Sequence, residues 1–332
     1  MHDGLEHIQP RAGGIRRTVA GRGFNYHSAN GRLLRSGPLL ERIGQLAIPP
    51  AWTQVWISSR PDAHILAIGV DAAGRTQYIY HPRWREVRGD EKYLRSLAFA
   101  QRLPAIRRRI TLDLKQTGDP RTRALAAAVR LMDRAGLRVG GAAYARGNGS
   151  FGATTLLKRH VQCTGDCVQL RFSGKSDGLW ELDLDDSLLA GYFSALPRTP
   201  PSAPAICHPV STGRRKHWAA VSDTEVNQYL AGVAGEGFTA KDFRTWQGTV
   251  VAALALSRAL KAGTQVPEAA TQAIRAAADW LHNTPAVARE AYVDPRVFEL
   301  FEQGKVADPR RQPDRSVLGL LLHNEGTPRA NP

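Results

Sequence analysis

The sequence contains few cysteines and no long apolar run, and each of these absences excludes a class of protein. Only three of its 332 residues are cysteines, too few for the disulfide framework of a small secreted protein. No stretch of about 18 apolar residues occurs, so no membrane-spanning segment is predicted. Residues 1–23 are rich in glycine and arginine but lack the apolar core of a secretory signal. They are expected to form a flexible basic arm on a cytoplasmic protein.

Acidic residues are also scarce relative to basic ones. The sequence has 30 Asp and Glu residues against 45 Lys and Arg residues, so its formal charge is +15. Such an excess attracts polyanions, and nucleic acid is the partner that it favours. Most of the positive charge is arginine, whose forked guanidinium suits phosphate oxygens. Because charge can also merely keep a protein in solution, the nucleic-acid hypothesis needs support from specific residues.

Two short patterns could indicate a cofactor, and neither does. Cys163 and Cys167 flank a turn-forming run at 164–166, and no second Cys/His pair with zinc-finger spacing follows. The Gly-Lys-Ser run at 174–176 resembles the end of a phosphate-binding P-loop, but Gln169 occupies the position where that loop has glycine. No metal and no nucleotide cofactor are therefore predicted.

Short strands and turns alternate from residue 43 onward, and one hairpin carries candidate contact residues. Residues 65–71 lead to a turn at 72–74, and residues 75–81 return with period-two alternation, which indicates a β-hairpin. Its second strand carries Gln77, Tyr78 and Tyr80. An amide can pair with an adenine edge in the major groove, so these residues are candidates for contacting DNA. The alternative is that they are ordinary strand-surface residues.

After residue 90 the pattern changes to the three-and-four spacing of amphipathic helices. Helices are expected at 91–102, 104–114, 120–135, 224–231, 238–261 and 267–281. Three strands interrupt them, at 160–163, 167–172 and 179–184, and a proline-rich linker is expected at 196–209. We predict an α+β protein, with the arm at 1–23, a small β-rich N-terminal domain at 24–90, a larger, mainly helical domain at 91–304 and a tail at 305–332.

Three cationic residues occur where an anion could bind. Arg138 lies in a break between elements among apolar neighbours, where a charge is costly unless it is paired. It could serve a structural ion pair or an anion. Lys175 lies at a predicted hairpin tip, where a lysine is usually solvated. Arg244 lies near the N-terminal end of a long helix, where backbone N–H groups also favour an anion.

A tyrosine late in the sequence completes a candidate site. Thr284 as an N-cap and Pro285 in a first turn indicate a short helix. Tyr292 lies near the end of that helix, and Asn283 lies just ahead of it. A tyrosine in such a place is usually a packing residue, so its significance depends on residues elsewhere in the chain.

Arg138, Lys175, Arg244, Asn283 and Tyr292, in this order, make the sequence similar to the type IB DNA topoisomerases, specifically their bacterial and poxvirus-like branch. The similarity covers about residues 34–301. Its runs are Leu-Ala-Ile-Pro-Pro-Ala-Trp at 46–52, Gly-Arg-Thr-Gln-Tyr at 74–78, Leu-Arg-Val-Gly at 137–140, Phe-Ser-Gly-Lys-Ser at 172–176, Lys-Asp-Phe-Arg-Thr at 241–245 and Asn-Thr-Pro-Ala-Val at 283–287. Each run alone is weak, but several in the right order are specific.

The resemblance implies a fold and a set of site residues. The fold would be a C-shaped clamp whose β-rich domain and helical catalytic domain close around duplex DNA. The family's catalytic residues correspond to Arg138, Lys175, Arg244 and Tyr292. Its DNA-contacting residues correspond to Gln77, Tyr78, Tyr80, Tyr144 and Lys241.

Two positions depart from the viral pattern. Viral and eukaryotic members have histidine nine residues before the tyrosine, whereas this sequence has Asn283, as bacterial members often do. His282 is one position away and is not assigned to the site. Gly141 replaces a lysine of the viral proteins, so their preference for a cleavage sequence is not carried over.

The resemblance implies a monomeric, nucleoid-associated enzyme that relaxes positive and negative supercoils without ATP or metal. Tyr292 would cut one strand by forming a 3′-phosphotyrosyl bond, and the strand would be resealed after the DNA has swivelled.

A tyrosine recombinase is one alternative, although such enzymes usually have His-x-x-Arg where this sequence has Lys241-x-x-Arg244. The other is a DNA-binding architectural protein with an inactive site, but all the charged catalytic positions and the tyrosine are filled.

Overall fold

The structure is a computed structural model that describes residues 4–116, 118–174, 178–212 and 215–324. Within these ranges a few side chains lie outside the description, namely those of Arg85, Glu86, Arg88, Asp90, Tyr144, Thr212, Arg215 and Lys216. The chain divides into two compact units, Met1–Leu94 and Arg95–Pro332. The first contains a five-stranded sheet and the second is mainly helical, which confirms the predicted α+β class.

The first unit is built on an antiparallel sheet. Its strands are β1 (Ile15–Ala20), β2 (Gly23–His27), β3 (Thr53–Ile57), β4 (Ile65–Val70) and β5 (Thr76–Tyr80), in the spatial order β2-β1-β3-β4-β5. Helix α1 (Pro38–Gln45) connects β2 to β3, and helix α2 (Pro82–Lys115) follows β5. The division between the units falls within α2. Strands β4 and β5 form the predicted hairpin, closed by the Asp71 N–H donating to the Arg75 carbonyl at 2.9 Å.

Strand alternation gives the two faces of this sheet different characters. Direct cross-strand partners project to the same face, so the register defines rows of side chains. One row is apolar and packs in the cluster that includes Ile43 of α1: Ile15, Ile57, Ala67 and Ile79. The row beside it faces the other way: Arg16, Trp56, Ile68 and Tyr78.

The prediction of a flexible arm at residues 1–23 is wrong for residues 15–20, which form β1 between β2 and β3. Ile15 is buried in the core. Consecutive arginines hid the strand pattern, because Arg17 lies on the apolar side. Its guanidinium is half-buried and donates to the carbonyls of Pro49 at 3.1 Å and Trp52 at 2.5 Å. An arginine whose donors are satisfied in this way can occupy a position that pattern analysis assigns to apolar residues.

The second unit contains two small β-sheets and most of the helices. Its strands are β6 (Val161–Thr164), β7 (Cys167–Ser173) and β8 (Leu179–Asp185) in one antiparallel sheet, and β9 (Cys207–Thr212) and β10 (Arg215–Ala220) in a separate hairpin. Its helices after α2 are α3 (Pro120–Ala135), α4 (Ala142–Asn148), α5 (Ser187–Ser194), α6 (Asp223–Ala234), α7 (Ala240–Lys261), α8 (Val266–Leu281), α9 (Pro285–Ala291), α10 (Arg296–Glu302) and α11 (Pro313–Leu322). In the ranges described, no helix combines the length and apolar character needed to cross a membrane.

Helix α3 has the predicted bounds because both of its ends carry clear local signals. The Asp119 carboxylate accepts from the N–H groups of Arg121 at 3.0 Å and Thr122 at 3.2 Å, which caps the first turn. At the other end Gly136 has a φ of 64°, a left-handed conformation that ends a helix and favours glycine.

Several other segments differ from the predictions. Helix α2 continues through Pro104, where two helices were expected. Its apolar stripe runs past the proline, with Leu103 and Ile106 fully buried, and this packing outweighs the lost hydrogen bond. The predicted linker at 196–209 leads into strand β9, and helix α5 was not predicted.

Residues after Gly304 were predicted to be a tail, yet residues 313–322 form α11, whose Val317 and Leu321 lie in the core of the second unit. The Asp314 carboxylate accepts from Trp246 Nε1 and from an Arg107 nitrogen, each at 2.7 Å. The low hydrophobicity of residues 305–315 concealed this helix, because a polar network attaches its first turn.

Replacing Asp314 by asparagine should lower the free energy of unfolding by about 1.5–3 kcal/mol, because the half-buried Arg107 and the buried Trp246 lose a charged acceptor. Burial raises the pKa of Asp314, but Arg107 and the other donors outweigh it and lower that pKa. The difference in free energy of unfolding between wild type and Asp314→Asn should therefore be present above about pH 4. It should shrink as the pH falls through the lowered pKa of Asp314.

Urea unfolding of both proteins from pH 7 to pH 3 measures this difference. Asp308→Asn is the matched control, because the partners of Asp308 are exposed arginines. Equal midpoints for Asp314→Asn and Asp308→Asn at pH 7 would contradict the prediction.

Candidate active site

Arg244 is a buried cation in the first part of α7, with 2% of its surface exposed. One terminal nitrogen donates to the Gly136 carbonyl, and the other donates to the Leu281 carbonyl at 2.9 Å. Its Nε is buried and has no hydrogen-bond partner among the described residues. Burial lowers the pKa of Arg244, although the Tyr292 oxygen opposes that effect. The side chain therefore keeps one buried donor without a hydrogen-bond partner.

Arg138 follows the end of α3 and lies outside any helix or strand. Its carbonyl accepts from the Ala153 N–H at 2.9 Å. This pairing requires glycine at position 152, because a Cβ there would lie 2.6 Å from the Arg138 carbonyl oxygen. The guanidinium donates from Nη2 to Asn283 Oδ1 at 2.5 Å and from Nη1 to the Tyr292 hydroxyl at 3.4 Å.

Asn283 follows the left-handed His282, which ends α8 with a φ of 48°. A guanidinium has donors only, so the atom of Asn283 that meets Arg138 must be its oxygen. The amide nitrogen is then left as a donor, and it is buried with no partner within the described ranges. The His282 ring instead stacks on Trp180 at 3.8 Å between centroids. The adjacent histidine thus has a separate contact from the asparagine.

Tyr292 caps the C-terminal end of α9 and is 6% exposed. The Arg244 guanidinium carbon lies 4.9 Å from the centre of its ring. Burial raises the pKa of the phenol, but Arg244, and after it Arg138, outweigh burial and lower that pKa. Both arginines stabilise the phenolate, which is the nucleophilic form of tyrosine.

These four side chains form a cationic pocket, and all of them belong to the second unit. No carboxylate forms an ion pair with Arg138 or Arg244 in the part of the chain that the structure describes. Two guanidinium groups without a counter-ion, together with unused donors on Arg244 and Asn283, fit an anion such as a phosphodiester.

The other predicted residues of this unit are less well defined by the structure. Lys175 lies outside the described residues, which resume the hairpin at Gly178 after Gly174. The side chain of Tyr144 is also outside the description, although its backbone lies in α4. Lys241 is exposed in the first turn of α7, one turn before Arg244.

The three predicted DNA-contacting residues of the first unit do not form one surface. Tyr78 is 44% exposed, and its ring stacks on Tyr80 at 5.7 Å. Alternation places Gln77 on the opposite face of β5, where its amide nitrogen donates to Asp71 at 2.8 Å. The two tyrosines are therefore available together, whereas Gln77 must leave Asp71 before it can offer both amide groups to a base.

Sequence analysis missed Thr249, which holds the backbone around Tyr292. Its hydroxyl, buried on α7, accepts from the Asp294 N–H at 3.0 Å. The single hydroxyl proton is shared between the carbonyls of Thr245 at 3.1 Å and Tyr292 at 3.2 Å. Gly248 beside it leaves room for the tyrosine, since a Cβ there would lie 3.1 Å from the Tyr292 Cβ. No sequence signal marks Thr249, because its importance comes from a contact 43 residues away.

Comparisons with known proteins agree with this architecture. The family model for the catalytic core of eukaryotic DNA topoisomerase I matches residues 81–305, and the model for the N-terminal domain of bacterial DNA topoisomerase IB matches residues 23–71. A mimivirus protein (Acanthamoeba polyphaga mimivirus) named DNA topoisomerase 1B is 29% identical over 297 residues, which cover 87% of this chain and 88% of the viral protein.

A β-rich unit followed by a mainly helical unit with this match defines an enzyme that changes the topology of DNA. The chain belongs to the type IB DNA topoisomerase family, in its bacterial and viral-like branch. DNA is therefore its substrate.

Replacing Arg244 by glutamine should raise the pKa of Tyr292, because burial then acts on the phenol with less opposing charge. Arg138→Gln should raise it by a smaller amount, since Arg244 has the larger influence. A pH titration of the tyrosine resonances by NMR, with Tyr292→Phe for assignment, measures both shifts. A pKa of Tyr292 that does not change in Arg244→Gln would contradict this account of the pocket.

Proposed function

We propose that Tyr292 is the nucleophile of this topoisomerase and that the scissile phosphate binds between Arg138, Arg244 and Asn283. The observation that supports this assignment most strongly is the pair of buried, unused donors, Arg244 Nε and Asn283 Nδ2, beside a phenol whose pKa is lowered. A site built only for stability would satisfy these donors internally.

The proposed reaction is a transesterification. The Tyr292 oxygen attacks phosphorus and forms the P–O bond as the bond to the 5′-oxygen breaks, leaving a 3′-phosphotyrosyl link. Negative charge grows on the non-bridging oxygens, where the two arginines and the Asn283 amide donate. Each such donor contributes about 10²–10³ in rate. The reverse reaction reseals the strand with no net hydrolysis, so ATP is not required.

The leaving 5′-oxygen needs a proton, and we assign Lys175 as its donor on the basis of the family motif. Its neighbours Ser173 and Gly174 lie at the end of β7, and Trp180 on β8 packs against Gly174. The same tryptophan stacks on His282, which directly precedes Asn283. General-acid assistance of this kind contributes about 10²–10⁴ in rate.

Duplex DNA is proposed to contact Gln77, Tyr78, Tyr80, Tyr144 and Lys241 away from the scissile phosphate. After cleavage, the duplex beyond the nick swivels and releases supercoils of either sign. The enzyme is proposed to act as a monomer on nucleoid DNA, because the four described site residues come from one unit of one chain. Phosphate contacts dominate such binding, so affinity should fall steeply with salt.

Wild type should relax supercoiled DNA in the absence of ATP and metal ions. Replacing Tyr292 by phenylalanine should abolish this relaxation and leave DNA binding unchanged. A detergent quench should trap a covalent adduct with wild type only. A label at the 5′ end of the cut strand should stay with the protein, because the bond forms to the 3′ phosphate. Tyr26→Phe, a change in β2, is the control. A Tyr292→Phe protein that still forms the adduct would disprove the assignment.

Replacing Asn283 by aspartate keeps an oxygen for Arg138 but removes the amide donor, so single-turnover cleavage should slow by about 10²–10³. Asn283→His should slow cleavage much less, since an imidazole N–H can donate from the same position. Quench-flow cleavage of a defined duplex measures both rates. An Asn283→Asp protein that cleaves as fast as wild type would contradict the assignment, because it would show that Asn283 acts only through the oxygen that holds Arg138.

A further inference from the structure

The first part of the chain is strongly basic and has no compensating acid. Residues 7–40 contain six arginines and neither aspartate nor glutamate: Arg11, Arg16, Arg17, Arg22, Arg32 and Arg35. Of these, only Arg17 has a side-chain hydrogen bond or ion pair within the described part of the chain. The other five are exposed. The structure therefore keeps a group of positive charges without internal partners.

The sheet register places one of these arginines on the same face as the hairpin tyrosines. Arg16 pairs with Trp56, Trp56 with Ile68, and Ile68 with Tyr78, so all four project to one side. Strands β1 and β2 extend this side with Thr18, Asn25 and His27, through the pairs Arg16–His27 and Thr18–Asn25. We call Arg16, Thr18, Asn25 and His27 the β1–β2 face.

The centre of this side of the sheet is closed by the chain that precedes β1. Ile8 packs on Trp56 and Ile68, and the Trp56 indole N–H donates to the Gly13 carbonyl at 2.7 Å. The apolar residues of the row are thus covered, whereas both of its ends, at Arg16 and at Tyr78, are exposed. A polar, basic end and an aromatic end on one face suit a nucleic acid better than an apolar protein partner.

The spacing of the two ends matches DNA. Adjacent strands lie about 4.8 Å apart, so Arg16, three strands from Tyr78, is about 14 Å away from it. The major groove is about 12 Å wide. When the hairpin tyrosines lie in the groove, Arg16 is at the distance of the phosphates that border it.

The neighbouring Arg17 shows that Arg16 lacks an internal partner because of the face of the sheet on which it lies. The two residues are adjacent, yet the Arg17 guanidinium binds backbone carbonyls on the opposite side, including that of Trp52. One arginine of the pair therefore stabilises the fold, and the other is left to bind an external anion.

We infer that the β1–β2 face binds the phosphate backbone of the duplex that the β4–β5 hairpin contacts, with Arg16 as its main ligand to a phosphate. This inference rests on the proposed role of Tyr78 and Tyr80 in DNA contact. Thr18 and Asn25 add neutral donors on the same face, and such contacts fix the position of a protein on DNA without reading its sequence.

The test compares full-length wild type with Arg16→Gln in binding to a fluorescent duplex at several salt concentrations. Removing one phosphate contact should reduce the slope of log affinity against log salt by about 0.9, and should weaken binding about fivefold at about 0.15 M salt. Weakening should be equal for duplexes of unrelated sequence. Arg16→Lys should restore most of the slope.

The matched control is Arg32→Gln, which removes the same charge from the side of the unit that carries Ile15 and Leu39, residues that line a groove with it. A salt slope for Arg16→Gln equal to that of Arg32→Gln, with both proteins folded by circular dichroism, would overturn the inference. Tyr78→Ala distinguishes failure of the β1–β2 face from failure of the proposed contact between DNA and the β4–β5 hairpin. If it weakens binding while Arg16→Gln does not, only the β1–β2 face is disproved; if it has no effect, the proposed hairpin contact itself fails.

Discussion

The site depends on how the protein keeps the Arg244 guanidinium charged inside its core. A buried cation is costly unless polar groups replace its water. Here two backbone carbonyls do so, that of Gly136 at the end of α3 and that of Leu281, the last residue of α8. Helix C-termini carry partial negative charge and unpaired carbonyls. These carbonyls stabilise the cation but do not neutralise it, whereas a carboxylate would do both. The guanidinium can therefore still attract an anion.

The same contacts organise the rest of the pocket. Arg138 lies two residues beyond Gly136, and Asn283 lies two residues beyond Leu281, so the cation that joins the two helix ends also brings these side chains together. Tyr292 then packs against the Arg244 guanidinium. A single buried arginine thus links three segments that are distant in sequence. This arrangement fixes the donors of Arg138, Arg244 and Asn283 relative to one another in the absence of any ligand.

Motifs with local physical causes could be predicted from the sequence. The bounds of α3 followed from Asp119 and Gly136, and the β4–β5 hairpin followed from its alternation. Segments whose order depends on distant contacts were missed. Strand β1 was hidden by Arg17, which binds carbonyls some 30 residues away, and α11 was hidden because Asp314 attaches it to Trp246 and Arg107.

The sequence by itself determined the class of fold, the membership of the type IB family and the candidate residues, because these depend on residue types, their order and local periodicity. Only the tertiary structure decided how those residues are arranged. It showed that Asn283 turns its oxygen to Arg138 and keeps its amide free, that Gln77 lies on the opposite face from Tyr78, and that Thr249 holds the tyrosine backbone. The direction of a hydrogen bond, the face on which a side chain lies and its burial all depend on contacts between distant segments. These properties exist only once the chain has folded.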